Sequence, residues 1–294
     1  MKKSKKPSLT VKILEELWYE KVQPPMRELF FDVRVFSFPG MKHVVAQLEH
    51  VFKLSRVPFI QDRFSWVDPE KNTFSWLPIN RDIEGAGSIA LPEEVLGRLI
   101  DKASHRVILD ICLCRQGNGC SNYSIDTGCL FMGESTLKFP RKICREVSAE
   151  EAKAHAKKAI GQGLIPIAGK ARLDNDLGMI KDEGKLLTLC FCCECCCVTR
   201  FFRQVPQDKL DGIHHPVEGL SIEVTDECTG CGVCVDKCYI GAMKLEDGRA
   251  FITGHCRVCG RCALDCPQGA IKMKLDNSLA VDDVVQRIEA MVDL

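Results

Sequence analysis

Apolar residues recur at helical spacing along the first part of the chain. Val11, Ile13, Leu14, Leu17 and Trp18 share one face of residues 10–22, and Val44, Val45, Leu48, Val51 and Phe52 share one face of residues 41–54; both stretches predict amphipathic helices. Between Pro58 and Pro78 the period changes. Phe59, Phe64, Trp66, Phe74 and Trp76 alternate with polar residues around DPEKN, which predicts a β-hairpin with buried aromatic rings. A nucleic-acid stacking platform would need a basic groove beside those rings, so core packing is the simpler expectation.

Farther along, Pro92 opens a predicted helix, PEEVLGRLIDKAS, and HRVILDICLC follows as a continuous apolar run suited to a buried strand ending at cysteines. Ser148 and Glu151 have capping-box spacing ahead of EAKAHAKKAIGQG, where Gly161 and Gly163 stop the helix. KLLTLCFCC predicts a second buried strand leading into a second knot of cysteines. Val281, Val284, Val285, Ile288, Met291 and Val292 predict a C-terminal helix folded back on the body. The expected fold class is α+β, with a helical and hairpin region at 1–90, a cysteine-rich middle domain at 91–218, a compact module at 219–275 and a terminal helix at 276–294.

Cysteine content changes the picture, because 19 of the 294 residues are cysteine. In a short secreted chain that would suggest a disulfide scaffold. Here no signal-peptide pattern precedes them, since Glu15 and Glu16 interrupt the apolar stretch after the basic start, and a cytoplasmic location is expected. No apolar run reaches the roughly 18 residues of a membrane span, so direct membrane insertion is not expected. The 40 Lys and Arg residues balance 40 Asp and Glu residues, which leaves no general attraction for nucleic acid. Lys2, Lys3, Lys5 and Lys6 read as a solvated tail.

Near the C-terminus Cys228, Cys231, Cys234 and Cys238, then Cys256, Cys259, Cys262 and Cys266, each follow Cys-x2-Cys-x2-Cys-x3-Cys. At this spacing a short loop wraps three thiolates round one face of a cubane and sends the fourth to another cluster. So dense a set could hardly pair as unstrained disulfides. Zinc needs four ligands, typically as two separated pairs, and leaves the third cysteine of each run without a purpose. Two [4Fe-4S] clusters are therefore expected. The two halves also form an internal repeat, DECTGCGVCVDKCYIGAMKL against GHCRVCGRCALDCPQGAIKM, joined through a turn at Asp247 and Gly248.

Ten further cysteines lie upstream: Cys112, Cys114, Cys120 and Cys129 in one loop, and Cys190, Cys192, Cys193, Cys195, Cys196 and Cys197 in CFCCECCC. Adjacent residues on an extended chain point to opposite sides, so a subset must face each of one or two metal centres. The two knots are expected to meet and bind at least one additional iron–sulfur cluster with thiols from both loops. Zinc held by four of the thiols is the alternative. Cys144 stands apart and reads as an inert buried thiol.

The C-terminal repeat resembles the bacterial dicluster ferredoxins. That resemblance implies crossed ligation, with Cys228, Cys231, Cys234 and Cys266 on cluster I and Cys256, Cys259, Cys262 and Cys238 on cluster II. The sequence departs from the family at one point: Pro267 follows Cys266 as expected, but Tyr239 follows Cys238, adding an N–H and an aromatic ring beside cluster II. Over residues 92–275 the order of an ICLCR loop, a GCLFMGE segment, a helix, the CFCCECCC knot and the dicluster module is similar to anaerobe iron–sulfur proteins described as 4Fe-4S dicluster domain proteins. The similarity implies electron transfer with a partner oxidoreductase and names no substrate. A reductase whose middle-domain cluster is the catalytic centre is the alternative, and no catalytic side chain is assigned.

Gly85, Gly87 and Ala90 satisfy G-x-G-x-x-A without the strand–turn–helix context of a dinucleotide site. His214 and His215 read as packing or solvent-facing loop residues, and His255 as a candidate hydrogen-bonding neighbour of cluster II. Arg115, Arg257 and Arg261 read by default as solvated, with stabilisation of thiolate charge as the alternative.

Overall fold

Seven short strands, β1 (Thr73–Trp76), β2 (Arg106–Leu109), β3 (Leu130–Met132), β4 (Cys144–Glu146), β5 (Ile165–Lys170), β6 (Leu187–Cys192) and β7 (His214–Pro216), form one mixed sheet in the order β4-β2-β3-β6-β5-β1-β7. Every pairing is antiparallel except that of β1 with β7. The structure is a computed structural model and describes residues 17–22, 41–57, 65–79, 83–87 and 90–294. Its helices are α1 (Met41–Lys53), α2 (Leu91–Lys102), α3 (Leu113–Asn118), α4 (Ala149–Gly161), α5 (Arg172–Leu177), α6 (Gln207–Ile213), α7 (Val233–Lys237), α8 (Arg261–Leu264) and α9 (Ala280–Glu289). The expected mixture of helix and sheet is observed, and among the described residues no helix is long and apolar enough to cross a membrane.

Strand alternation divides the core. Ile108, Leu130, Ala168, Leu189 and Phe191 face α2, α4 and α9, which bury Val95, Leu99, Ala152, Ala156, Val284 and Ile288 against them. Each fully buried Val, Leu or Ile contributes about 1.5–3 kcal/mol, so this helical layer anchors the sheet. On the opposite face Phe74, Trp76, Ile165, Ile167 and Cys192 meet Phe52 of α1, Phe201 and Phe202, and Leu210 and Ile213 of α6.

The Ser148 hydroxyl accepts from Glu151 N, and Ser148 N donates to the Glu151 carboxylate at 2.8 Å, completing the expected capping box of α4. The expected hairpin at 58–78 is corrected. DPEKN does turn, with Lys71 N and Asn72 N both bonded to Asp68 O, but Ser65–Val67 is a 3-10 turn and β1 pairs with β5 and β7. A strand between two neighbours is buried on both faces, and all four residues of β1 are buried. Its polar Ser75 accepts from Arg287 of α9 at 2.9 Å. The helix predicted at 10–22 lies largely outside the described residues, as do Phe59 and Phe64; Trp18–Val22 forms a single π-helical turn.

In the C-terminal part β8 (Leu220–Val224) pairs antiparallel with β11 (Ile271–Leu275), and β9 (Met243–Glu246) with β10 (Arg249–Ile252). Between β9 and β10, Asp247 and Gly248 have φ of 48° and 75°, the left-handed pair that a tight hairpin turn requires. Met273 and Leu275 share the core of α2 and α9. Gly85 lies against β11, where a Cβ would sit 2.2 Å from Leu275 O. Close chain approach accounts for that glycine without a dinucleotide.

Candidate metal centres

The pairing of β3 with β6 sets Leu130 opposite Leu189 and brings Cys129, just before β3, to Cys190, with their sulfurs 3.7 Å apart. Along β6 the side chains of Leu189 and Phe191 enter the helix-covered core, so Cys190 and Cys192 take the other face; beyond the strand, Cys193 and Cys196 return to the helical side. The first loop splits likewise. Cys112 caps α3, Cys114 lies in its first turn, and Gly119, with φ of 62°, ends the helix and turns the chain toward Cys120. The two knots therefore meet, in two groups.

Cys120, Cys193, Cys195 and Cys196 form the first group, with all four sulfurs within 4.8 Å of one another and Cys120 3.6 Å from Cys195. Four thiolates at about 2.3 Å from one ion stand about 3.8 Å apart at the corners of a tetrahedron, so this group is dimensioned for a metal ion. Burial first, then neighbouring sulfurs, push Cys193, Cys195 and Cys196 to about 12. Burial also raises Cys120, but hydrogen bonds from the Asn122 and Tyr123 backbone and from the Cys196 and Cys195 thiols together lower the net value. A bound metal supplies the charge that turns such thiols into thiolates.

Glu194 ties this group to the C-terminal part. It accepts from the Tyr123 hydroxyl at 2.9 Å and lies 3.5 Å from the Arg261 guanidinium and 3.7 Å from Lys237 Nζ. Lys237 and Arg261 stand beside Cys238 and Cys262. Sequence inspection passed over Glu194, although a lone charge inside a run of buried thiols was the available signal.

The second group is Cys112, Cys114, Cys129, Cys190, Cys192 and Cys197, which, with Cys193 of the first group, line a cavity of about 230 Å³ walled by Phe52, Phe74, Leu109, Phe131 and Phe202. Protein interiors are close-packed. At about 24 cal/mol per Å³, 230 Å³ of cavity represents on the order of 5 kcal/mol at most, too much to be a casual packing fault. Cys197 and Cys192 sulfurs are 2.9 Å apart, and the Thr199 hydroxyl donates to Cys197 Sγ at 3.1 Å. Hydrogen bonds from Cys114, Cys192 and Thr199 hold Cys197 at about 5 despite burial. Cys112 and Cys129 lie well above the ordinary thiol value, first because each donates to a neighbouring sulfur and then through burial. Asp174 also lines this cavity, and burial raises its carboxyl to about 6; no pattern in the sequence marked it.

The eight C-terminal cysteines gather in two sets. Cys228, Cys231, Cys234 and Cys266 line one cavity with Pro267, and Cys238, Cys256, Cys259 and Cys262 line another with Trp76 and Tyr239. Each set takes three sulfurs from one run and one from the other. Backbone N–H groups point at three of the sulfurs: Ala250 to Cys228 at 3.5 Å, Ala242 to Cys238 at 3.2 Å and Val258 to Cys256 at 3.4 Å. Gly230 and Gly232, with φ of 68° and 82°, correspond in the repeat to Val258 and Gly260, with φ of 52° and 78°. A β-branched residue held there costs on the order of 1–3 kcal/mol, so the loop shape overrides local preference. The sets differ in exposure: Cys231 is exposed, whereas burial pushes Cys259 to about 12.

The three arginines are not solvated. Arg115 is fully buried and donates to Phe191 O at 3.0 Å and to Thr127 O. Arg257 pairs with Asp211 at 2.7 Å, and Arg261 donates to Gly163 O and meets Glu194. Carbonyls and carboxylates replace their water and lock the cysteine loops in place. His214 is a buried residue of β7 that accepts from Trp76 Nε1, a packing role, and Cys144 lies apart with its thiol donating to Pro140 O at 3.3 Å. No family model, no curated protein and no solved structure matches this chain.

Proposed function

We propose that the chain is a cytoplasmic iron–sulfur electron-transfer protein with two [4Fe-4S] clusters in its C-terminal module and at least one further metal–sulfur centre upstream, exchanging electrons with a partner oxidoreductase. The observation that carries this is the gathering of two sequence-separated cysteine runs into two crossed sets of four sulfurs. It agrees with the ligation implied by the resemblance to dicluster ferredoxins. Bound [4Fe-4S] clusters supply one-electron reduction and reoxidation.

The chain's own groups fit that task. Backbone N–H donors at Cys228, Cys238 and Cys256 stabilise thiolate charge. Exposed Cys231 puts the first set at the surface, where a partner protein can approach it, whereas none of the second set's cysteines is exposed and Cys262 is buried. Upstream, the compact group of Cys120, Cys193, Cys195 and Cys196 suits one tetrahedral ion, for which zinc is the leading class.

One observation favours a second reading, an iron–sulfur reductase: the six-thiol cavity has space beside its donors. Iron, acid-labile sulfide and zinc counts on anaerobically purified protein test the first reading, which expects about eight irons or more. EPR spectra of the reduced protein with candidate small molecules separate the two, since a relay gives signals that ignore them and a reductase centre does not.

A further inference from the structure

Ten upstream thiols divide into a compact group of four, Cys120, Cys193, Cys195 and Cys196, and six others that line one cavity together with Cys193. The four-thiol group satisfies one ion by itself. The remaining six surround one apolar cavity, two more thiols than a tetrahedral ion can take. Thiolate donors select copper(I), zinc or iron–sulfur clusters. Six thiolates round a single ion would gather strong negative charge between apolar walls, with Arg115 as the neighbouring cation. Several metal ions bridged by sulfide divide those thiols among them, so that no single ion has to take more than four sulfurs. The space also fits a core of several atoms, since 230 Å³ equals roughly seven or eight waters at ~30 Å³ each, and the lining is wrong for water.

We propose that Cys112, Cys114, Cys129, Cys190, Cys192 and Cys197 bind one polynuclear iron–sulfur centre, separate from the four-thiol site. This rests on the iron–sulfur character of the chain as a whole.

The test uses the full chain purified without air, with iron, sulfide and zinc counts and EPR-monitored redox titration. Cys190→Ala/Cys192→Ala loses about four or more irons per chain while keeping the ferredoxin-type signals. Cys120→Ser/Cys195→Ser keeps those irons and loses the single ion. If the Cys190→Ala/Cys192→Ala protein does not fold, Cys112→Ala and Cys129→Ala, on the other loop, give the same readout. Unchanged iron in the cysteine variants overturns the site. A wild-type protein with about eight irons and one zinc sinks this proposal and leaves the ferredoxin reading standing, whereas a protein without iron defeats both.

Discussion

The indole of Trp76 stacks on the phenol ring of Tyr239, with centroids 5.5 Å apart and planes 23° apart. Trp76 belongs to β1, next to the edge strand β7, and Tyr239 follows Cys238, so one aromatic contact joins the sheet to the wall of the second cysteine set. Trp76→Ala should cost about 3–5 kcal/mol and loosen metal at Cys238, Cys256, Cys259 and Cys262. Trp76→Phe keeps an aromatic face and loses only the bond to His214, so its unfolding midpoint should fall less. Anaerobic thermal unfolding with iron counts checks both.

His214 makes the fold acid-sensitive. Burial first, then Arg257 and His215, hold its pKa well below the ordinary histidine value; Nδ1 accepts from Trp76, and Nε2 has no partner. The folded chain therefore keeps His214 neutral, while the unfolded chain takes a proton near pH 6.5. With a depressed folded pKa, this stability is present above about pH 6.5 and is lost as pH falls below it, by at most about 1.4 kcal/mol per unit. Unfolding midpoints measured from pH 7.5 down to 5.5 should drop, and His214→Leu should flatten the slope.

Glu194 and Arg261 are 11% and 5% exposed at their side chains and 3.5 Å apart. Removing one partner of a buried pair costs about 3–5 kcal/mol, so Glu194→Ala should destabilise strongly. Glu194→Gln retains an acceptor for Tyr123 and should lose less. Denaturant unfolding of the two variants side by side decides the matter.

Gly230 occupies φ of 68°, and a Cβ there would lie 2.1 Å from Gly248 O. Gly230→Ala must move the first cysteine loop and should lose about four irons, with the second set unaffected. Gly232 has open space by comparison, its nearest neighbour being Leu245 Cδ1 at 3.6 Å. Gly232→Ala should cost only the left-handed backbone, about 1–2 kcal/mol, and keep its metal. Iron analysis of both proteins distinguishes steric collision from backbone strain.

Features set by local chemistry were legible from residues alone. The Ser148–Glu151 capping box, the Asp247–Gly248 turn and the buried strand ending at Cys192 all depend on neighbours within a few positions. Alternation holds along β6, where Cys190 and Cys192 lie opposite Leu189 and Phe191, but not beyond it, where adjacent Cys195 and Cys196 join one group. The hairpin at DPEKN failed because aromatic–polar alternation looks the same in a half-exposed hairpin and in a strand buried on both faces; β5 and β7, distant in sequence, make the difference. Arg115 was misjudged for the same reason, since Phe191 O and Thr127 O, which accept its protons, come from other parts of the chain. The division of the upstream thiols into four and six followed only once the pairing of β3 with β6 was fixed.

Iron and acid-labile sulfide measured on anaerobically purified full-length protein, alongside its visible spectrum, test the central claim most directly. About eight or more of each per chain, with broad visible absorption, are predicted for two cubanes at the crossed cysteine sets. A colourless protein carrying zinc alone would contradict it.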